Sequence, residues 1–228
     1  RRAADAAHAL GARLVADNTF ATPVNQRPLA PSADVVVESA TKYLGGHSGH
    51  TGGVVVGAGG LLDRIAGWRT SLGQVMAPEV AHRLSRSLRT LPLRVARQNA
   101  TATTVAAWLA TQPQARRVLH PSLATGEARA VVDRQMTGPG GMLTFELLDD
   151  AAAATMIENL ELVTAAPSLG GVETLVAQPS RTSHRDLPEA ERHRLGITNG
   201  LVRLSIGLED EDDLLEDLAT GLRAIRGA

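Results

Sequence analysis

Hydrophobic and polar positions fall into blocks along this 228-residue chain, and the period of the blocks changes from one to the next. Residues 3–11 carry an alanine-rich helical pattern that leads into a short apolar stretch at 13–16, ending on Asp17. Val35-Val36-Val37 and Gly53-Val54-Val55-Val56-Gly57 are apolar runs bounded by glycine and polar residues. They predict strands at 34–38 and 53–57, buried in a sheet covered on both faces. A helical stretch follows from about residue 78 to 110, with a break expected near Pro92. It is expected to connect a large domain, 1–105, to a smaller C-terminal one, 106–228.

The second part alternates again. A strand is predicted near 142–147, an alanine-rich helix at 149–160, strands near 172–176 and 201–206, and a closing helix. Asp210, Asp212 and Asp213 suit the positive end of that helix dipole, and Leu214, Leu215, Leu218, Leu222 and Ile225 lie along one face. Thr137-Gly138-Pro139-Gly140-Gly141 reads as a flexible turn. The alternation of strands and helices predicts an α/β protein.

Composition changes this picture only by exclusion. A hydrophobic content of 43% can build a substantial core, and a net charge of −1 gives no reason to expect nucleic acid or an anionic membrane as partner. No cysteine is present, so disulfides and thiolate metal sites are excluded. No apolar run reaches the length of a membrane span, and Arg1-Arg2-Ala3-Ala4-Asp5 has no signal-peptide core, so a cytoplasmic protein is expected. The histidines show no metal-ligand spacing, and no metal is expected. His47 and His50 read as lining a site, whereas His82, His120, His184 and His193 read as surface or turn residues.

Chemistry concentrates around Lys42, the only lysine among the 23 Lys+Arg. It lies in Ser39-Ala40-Thr41-Lys42-Tyr43-Leu44-Gly45-Gly46-His47-Ser48, directly after the valine run. A lysine amine can deprotonate, attack a carbonyl and form a Schiff base, whereas a guanidinium stays charged. Upstream, Leu14-Val15-Ala16-Asp17 ends an apolar strand on a carboxylate, and strand ends in open α/β sheets are where ligands sit. Alone, Lys42 would read as a solvated loop residue and Asp17 as a turn or cap. Together they are the two groups a protein supplies for pyridoxal 5′-phosphate chemistry: a Schiff-base lysine and a carboxylate for the pyridinium nitrogen. Ser39 and Thr41, with the glycine-rich backbone, suit its phosphate.

The blocks Asp17-Asn18-Thr19-Phe20-Ala21-Thr22-Pro23 and Ser39-Ala40-Thr41-Lys42-Tyr43 resemble the cystathionine γ-synthase/γ-lyase family of pyridoxal-phosphate enzymes, which includes methionine γ-lyase and the homoserine-ester sulfhydrylases. The likeness continues through Arg89-Thr90-Leu91-Pro92-Leu93-Arg94 and Ser168-Leu169-Gly170-Gly171-Val172-Glu173-Thr174-Leu175, and closes with Gly196 to Asp210. It implies a fold-type I, aspartate aminotransferase-like fold: part of a large, mostly parallel-sheet domain, followed by a smaller α+β domain. It further implies that Lys42 is the Schiff-base lysine and proton shuttle, that Asp17 partners the ring nitrogen, and that Ser39 and Thr41 hold the phosphate. Ser168 and Arg203 would orient the substrate's α-carboxylate, a task suited to a guanidinium fork. Within the apolar stretch Leu201 to Ile206, Arg203 is expected to be buried with a dedicated partner.

The activity implied is γ-elimination or γ-replacement on a sulfur amino acid or an activated homoserine, with a thiol as possible co-substrate and a homotetrameric assembly. Two alternatives stand beside it: a β-eliminating C–S lyase with the same residues, and a truncated, non-catalytic family member. Relative to the family, the chain reads as the C-terminal part of a longer enzyme, without the N-terminal tyrosine that stacks on the cofactor. Gly49 stands where the family usually has aspartate. Pro167 stands where cystathionine-cleaving γ-lyases tend to carry glutamate, which tilts the likeness toward methionine γ-lyases and sulfhydrylases.

Overall fold

A computed structural model describes residues 2–225. The chain forms two compact units: one from its start to Leu93 together with Met136–Gly138, the other Arg94–Gln135 with the remainder from Pro139.

The first unit opens with helix α1 (Arg2–Ala9), strand β1 (Val15–Asp17), a short helix α2 (Thr22–Asn25) and strand β2 (Val35–Ser39). A π-type turn, Ala40–Leu44, leads on toward β3 (Gly53–Gly57), followed by helices α3 (Gly59–Ser71) and α4 (Pro78–Leu88). The sheet order is β1-β2-β3, with β1 parallel and β3 antiparallel to β2, so among the described residues this sheet is mixed. Val35 and Val36 are buried as expected. The expectation of a fully covered β3 fails: Val55 and Val56 are 41% and 44% exposed. A valine run reports strand propensity, and nothing in it specifies what covers each face.

Helix α5 (Leu91–Leu109) carries Pro92 in its first turn, where the missing N–H costs nothing. The expected break near Pro92 is therefore the short gap between α4 and α5. From Arg94 onward, Met136–Gly138 excepted, the chain belongs to the second unit, which adds β4 (Arg117–Leu119), α6 (Gly126–Gln135), β5 (Met142–Glu146), α7 (Asp150–Glu158), β6 (Thr164–Ala165), β7 (Leu175–Ala177), α8 (Glu189–Arg194), β8 (Leu201–Ser205) and α9 (Glu211–Ala224). Its five strands run in the order β4-β5-β8-β7-β6. Leu143, Phe145, Val202 and Leu204 from the central strands pack with Ala102, Val105 and Leu109 of α5, Met156 of α7, and Leu214, Leu218 and Leu222 of α9.

Local chemistry sets the helix starts. The Asp149 carboxylate accepts the Ala152 N–H at 2.9 Å to cap α7, and Asp210 accepts from Asp212 at 3.0 Å to cap α9. Asp217 interrupts the apolar face of α9 and is nevertheless buried. Its carboxylate accepts the N–H groups of Glu161, Leu162 and Val163 at 2.8, 3.1 and 2.9 Å, which fixes the approach to β6.

Two further expectations are corrected. The Thr137–Gly141 turn, read as flexible, is pinned: Thr137 donates its N–H to the Asn25 carbonyl at 2.8 Å, and Gly140 donates to the Asn99 side chain at 3.0 Å. His120, read as a surface or turn residue, is buried. Its Nε2 donates to the Gly140 carbonyl at 3.1 Å, while Nδ1 pairs with the Ser122 hydroxyl at 2.7 Å. Burial pushes the imidazole's pKa down, partly offset by the bond to Gly140.

Candidate functional site

In the first unit, four of the singled-out residues gather along one strand edge. β1 and β2 are parallel neighbours, with Asp17 opposite Val37, so Asp17 and Ser39 stand at the C-terminal ends of adjacent strands. Thr41 and Lys42 follow in the π-type turn. Thr19 ties the two strand ends together. Its hydroxyl, and then its N–H at 2.9 Å, hold the Asp17 carboxyl below the ordinary aspartate value, and its Oγ1 accepts the Ser39 N–H at 2.9 Å. Asp17 is thereby kept ionised.

Ser39 opens the turn without using its hydroxyl as a cap. The Thr41 Oγ1 accepts the Gly52 N–H at 3.1 Å, and its 3.5 Å separation from the Gly52 carbonyl is too long for a strong bond, so the hydroxyl proton is not firmly committed. At Lys42 the backbone leaves helical geometry, with φ −92° and ψ −133°, and its carbonyl accepts the Gly46 N–H at 2.7 Å. Gly45 closes the turn by donating to the Ala40 carbonyl at 2.9 Å, and a Cβ built there would lie 2.6 Å from that same oxygen. Only glycine permits this return of the chain; Gly46 follows at φ +66°.

Beneath this edge lies Glu38, which sequence reasoning missed. It is buried, and its Oε1 accepts the Asn18 Nδ2 at 3.1 Å. Desolvation first, then the charge of Asp17, push its carboxyl up, against the opposing bond from Asn18. Glu38 Oε2 and Asn18 Oδ1 are both buried without a hydrogen-bond partner among the described residues.

The second unit holds the other two singled-out residues, and they meet. Arg203 lies on β8 between Thr144 of β5 and Ala177 of β7, and its Nη2 donates to the carbonyls of Pro167 at 2.9 Å and Ser168 at 3.0 Å. Arg203 is half-buried, less than its apolar strand suggested, because side chains alternate along β8: Val202 and Leu204 face the core and Arg203 the other side. Ser205, two residues on, shares that side and accepts the Gly170 N–H at 2.8 Å. Gln98 donates to the Gly171 carbonyl at 2.8 Å. Thr174 is held by Glu209, its hydroxyl at 2.6 Å from Oε2, and accepts the Gly207 N–H at 2.8 Å. The segment from Pro167 to Thr174 is thus fixed by side chains from α5, β8 and the turn after β8. Sequence reasoning missed Ser205, which its period-2 spacing to Arg203 could have flagged; Gln98 and Glu209, distant in sequence, carried no signal.

The sequence profile of the Cys/Met metabolism PLP-dependent enzymes matches residues 1–223. The L-methionine γ-lyase of Pseudomonas putida is 45% identical over 217 residues, 94% of this chain and 54% of that enzyme. A cystathionine β-lyase of Lactococcus lactis subsp. cremoris is 41% identical over 95% of this chain and 57% of its own length. The crystal structure of a cystathionine γ-lyase from Micromonospora echinospora superposes with a TM-score of 0.94 at 40% identity, covering 97% of this chain and 59% of that one. The chain therefore spans little more than half the length of these relatives.

Proposed function

The chain belongs to the Cys/Met metabolism family of pyridoxal-phosphate-dependent enzymes, and from that premise we propose that the complete protein eliminates or replaces the γ substituent of a sulfur amino acid or an activated homoserine. The observation that carries this reading is the shared edge of β1 and β2. Ionised Asp17 ends one strand, and Ser39, Thr41 and Lys42 follow the end of its parallel neighbour. One carboxylate, one primary amine and two hydroxyls are the donor set that fits pyridoxal phosphate at its ring nitrogen, aldehyde carbon and phosphate. When bound, the cofactor supplies a protonated ring that accepts the electron pair released as substrate C–H bonds break.

The chain's own residues do the rest. Asp17 holds negative charge beside the ring nitrogen and so keeps its proton, and Thr19 maintains that charge. Ser39 and Thr41 donate their hydroxyl protons to phosphate oxygens. The Lys42 amine, once displaced by the substrate's amino group, removes the proton from Cα. A second proton removal at Cβ expels the γ substituent, a thiolate or an acylated hydroxyl, and Lys42 carries protons between these carbons. Arg203 and Ser168 are assigned the substrate α-carboxylate, and the bonds from Arg203 to the Pro167 and Ser168 carbonyls support their acting as a pair.

In the complete enzyme, Lys42→Ala should lower turnover about 10³-fold or more; unchanged turnover would remove the assignment. Arg203→Gln should chiefly raise the KM for the amino acid, and an unchanged KM takes Arg203 out of the site. The likeness to a β-lyase supports a second reading, β-elimination by the same residues. The product separates the two, since 2-oxobutanoate marks γ and pyruvate β chemistry. The reading extends to a thiol co-substrate for replacement and a homotetramer, both carried over from the family likeness, and to a cytoplasmic location. Among the described residues no helix is long and apolar enough to cross a membrane.

A further inference from the structure

The first unit carries a second chemical feature, on the far part of the lysine loop. A cleft of about 370 Å³ is lined by His47, His50, Arg83, Arg86, Ser87 and Thr90, with the Gly49 backbone completing it. None of Asp17, Ser39, Thr41 or Lys42 lines it, and neither does any carboxylate. Arg83 and Arg86 are one turn apart on α4, so their side chains share a face. Neither guanidinium forms an ion pair or hydrogen bond among the described residues.

The two histidines are placed by the same loop. His47 Nδ1 pairs with the Gly45 carbonyl at 2.8 Å, and the His50 ring lies over Gly45, where a Cβ would come within 2.7 Å of its Nε2. That His50 Nε2 is buried without a partner. Arg83 and Arg86 bring two positive charges to one cleft that no carboxylate lines. The negative end of the α4 dipole accounts for Arg86 in the last turn, but not for Arg83 a turn earlier or for the state of His50.

We propose that this cleft is a binding site for a small tetrahedral dianion, phosphate or sulfate in class, held by the forks of Arg83 and Arg86 with His47 and His50. Guanidinium forks match tetrahedral oxyanions in geometry as well as charge. The volume is about ten times a water molecule's share of liquid, about 30 Å³, which admits such an ion with part of its hydration shell. The site stands apart from the cofactor reading: its residues are different, and either assignment can fail alone.

The test is a titration of the purified protein with sodium sulfate at constant ionic strength, balanced with chloride. It is followed by calorimetry and by the imidazole NMR resonances of His47 and His50. Saturable binding that moves both histidines, weakened at least about tenfold in R83Q/R86Q, is the expected result. Glutamine keeps helix propensity at these exposed positions, so an unchanged Tm for the variant separates loss of binding from loss of fold. A parallel titration with methyl phosphate separates sources: affinity equal to that for inorganic phosphate identifies a cleft that takes phosphate esters, and much weaker affinity identifies one for the free ion. A response that never saturates, or saturable binding that survives R83Q/R86Q and leaves both histidines unmoved, overturns the proposal.

Discussion

In the second unit Phe145, Met156, Leu204, Leu214 and Leu218 have no exposed surface, whereas in the first Val55, Val56 and Trp68 stand 41%, 44% and 66% open. The polar groups divide differently. In the second unit they hold backbone: Asp217 the approach to β6, and Arg203, Ser205, Gln98 and Glu209 the Pro167–Thr174 segment. In the first, Thr19 and Thr41 also hold backbone, at Ser39 and Gly52, but the polar groups there set one another's charge states as well, through Thr19 on Asp17 and through Asn18 and Asp17 on Glu38. The second unit is distinguished by its large apolar cluster, and the first by its polar edge. That contrast makes different substitutions costly in each.

The largest expected difference is between two core-type truncations. Phe145→Ala should destabilise the second unit by about 3–5 kcal/mol, while Val56→Ala on exposed β3 should cost under about 1 kcal/mol. Urea denaturation measures both, and equal losses would break the comparison. Asp217→Asn should cost about 2–3 kcal/mol by the same measurement. An amide offers one acceptor oxygen where three N–H groups now share two, and turns its NH2 toward donors. A loss near zero would mean those three bonds contribute nothing.

Two smaller effects separate the units by pH. His120 in the second unit has a lowered pKa in the fold, so the unfolded chain binds its proton first. Its contribution to stability is complete above the ordinary imidazole value of 6.5 and is lost as pH falls through the folded value. Glu38 in the first unit is raised, so the fold binds the proton more tightly. Its contribution is complete below the ordinary value of 4.5 and is lost as pH rises through the folded value. His120→Gln should flatten the acidic decline, and Glu38→Gln, which keeps a carbonyl oxygen to accept from the Asn18 Nδ2 at every pH, should remove the dependence on the opposite side. Either variant leaving its pH profile unchanged contradicts the assignment.

Much of the polar edge was legible because its residues are close in sequence. Asp17 and Thr19 lie in one block, Ser39, Thr41 and Lys42 in another, and an apolar run before each marks a strand end. The closing helix was legible because its apolar face repeats with a regular period, and β8 because it is an apolar stretch of strand length. Elements without such a face escaped. Helix α3 opens with Gly59-Gly60, contains Gly67 and buries no residue, α6 likewise buries none, and β4 and β6 span three and two residues. Glu38 escaped because its partner Asn18 follows the end of another strand, and His120 because its burial depends on a carbonyl twenty residues away.

The central claim, that Lys42 is the amine at the cofactor edge, is tested most directly by covalent trapping. The complete enzyme is incubated with pyridoxal phosphate, reduced with borohydride, digested and mapped by mass. Within this chain Lys42 is the only lysine, so a side-chain adduct here has one address. A reduced pyridoxyl group is expected on the peptide carrying Ser39-Ala40-Thr41-Lys42-Tyr43, formed in near-stoichiometric yield and abolished by Asp17→Ala or by unfolding. Cofactor binding to the folded protein with no adduct on that peptide would contradict it.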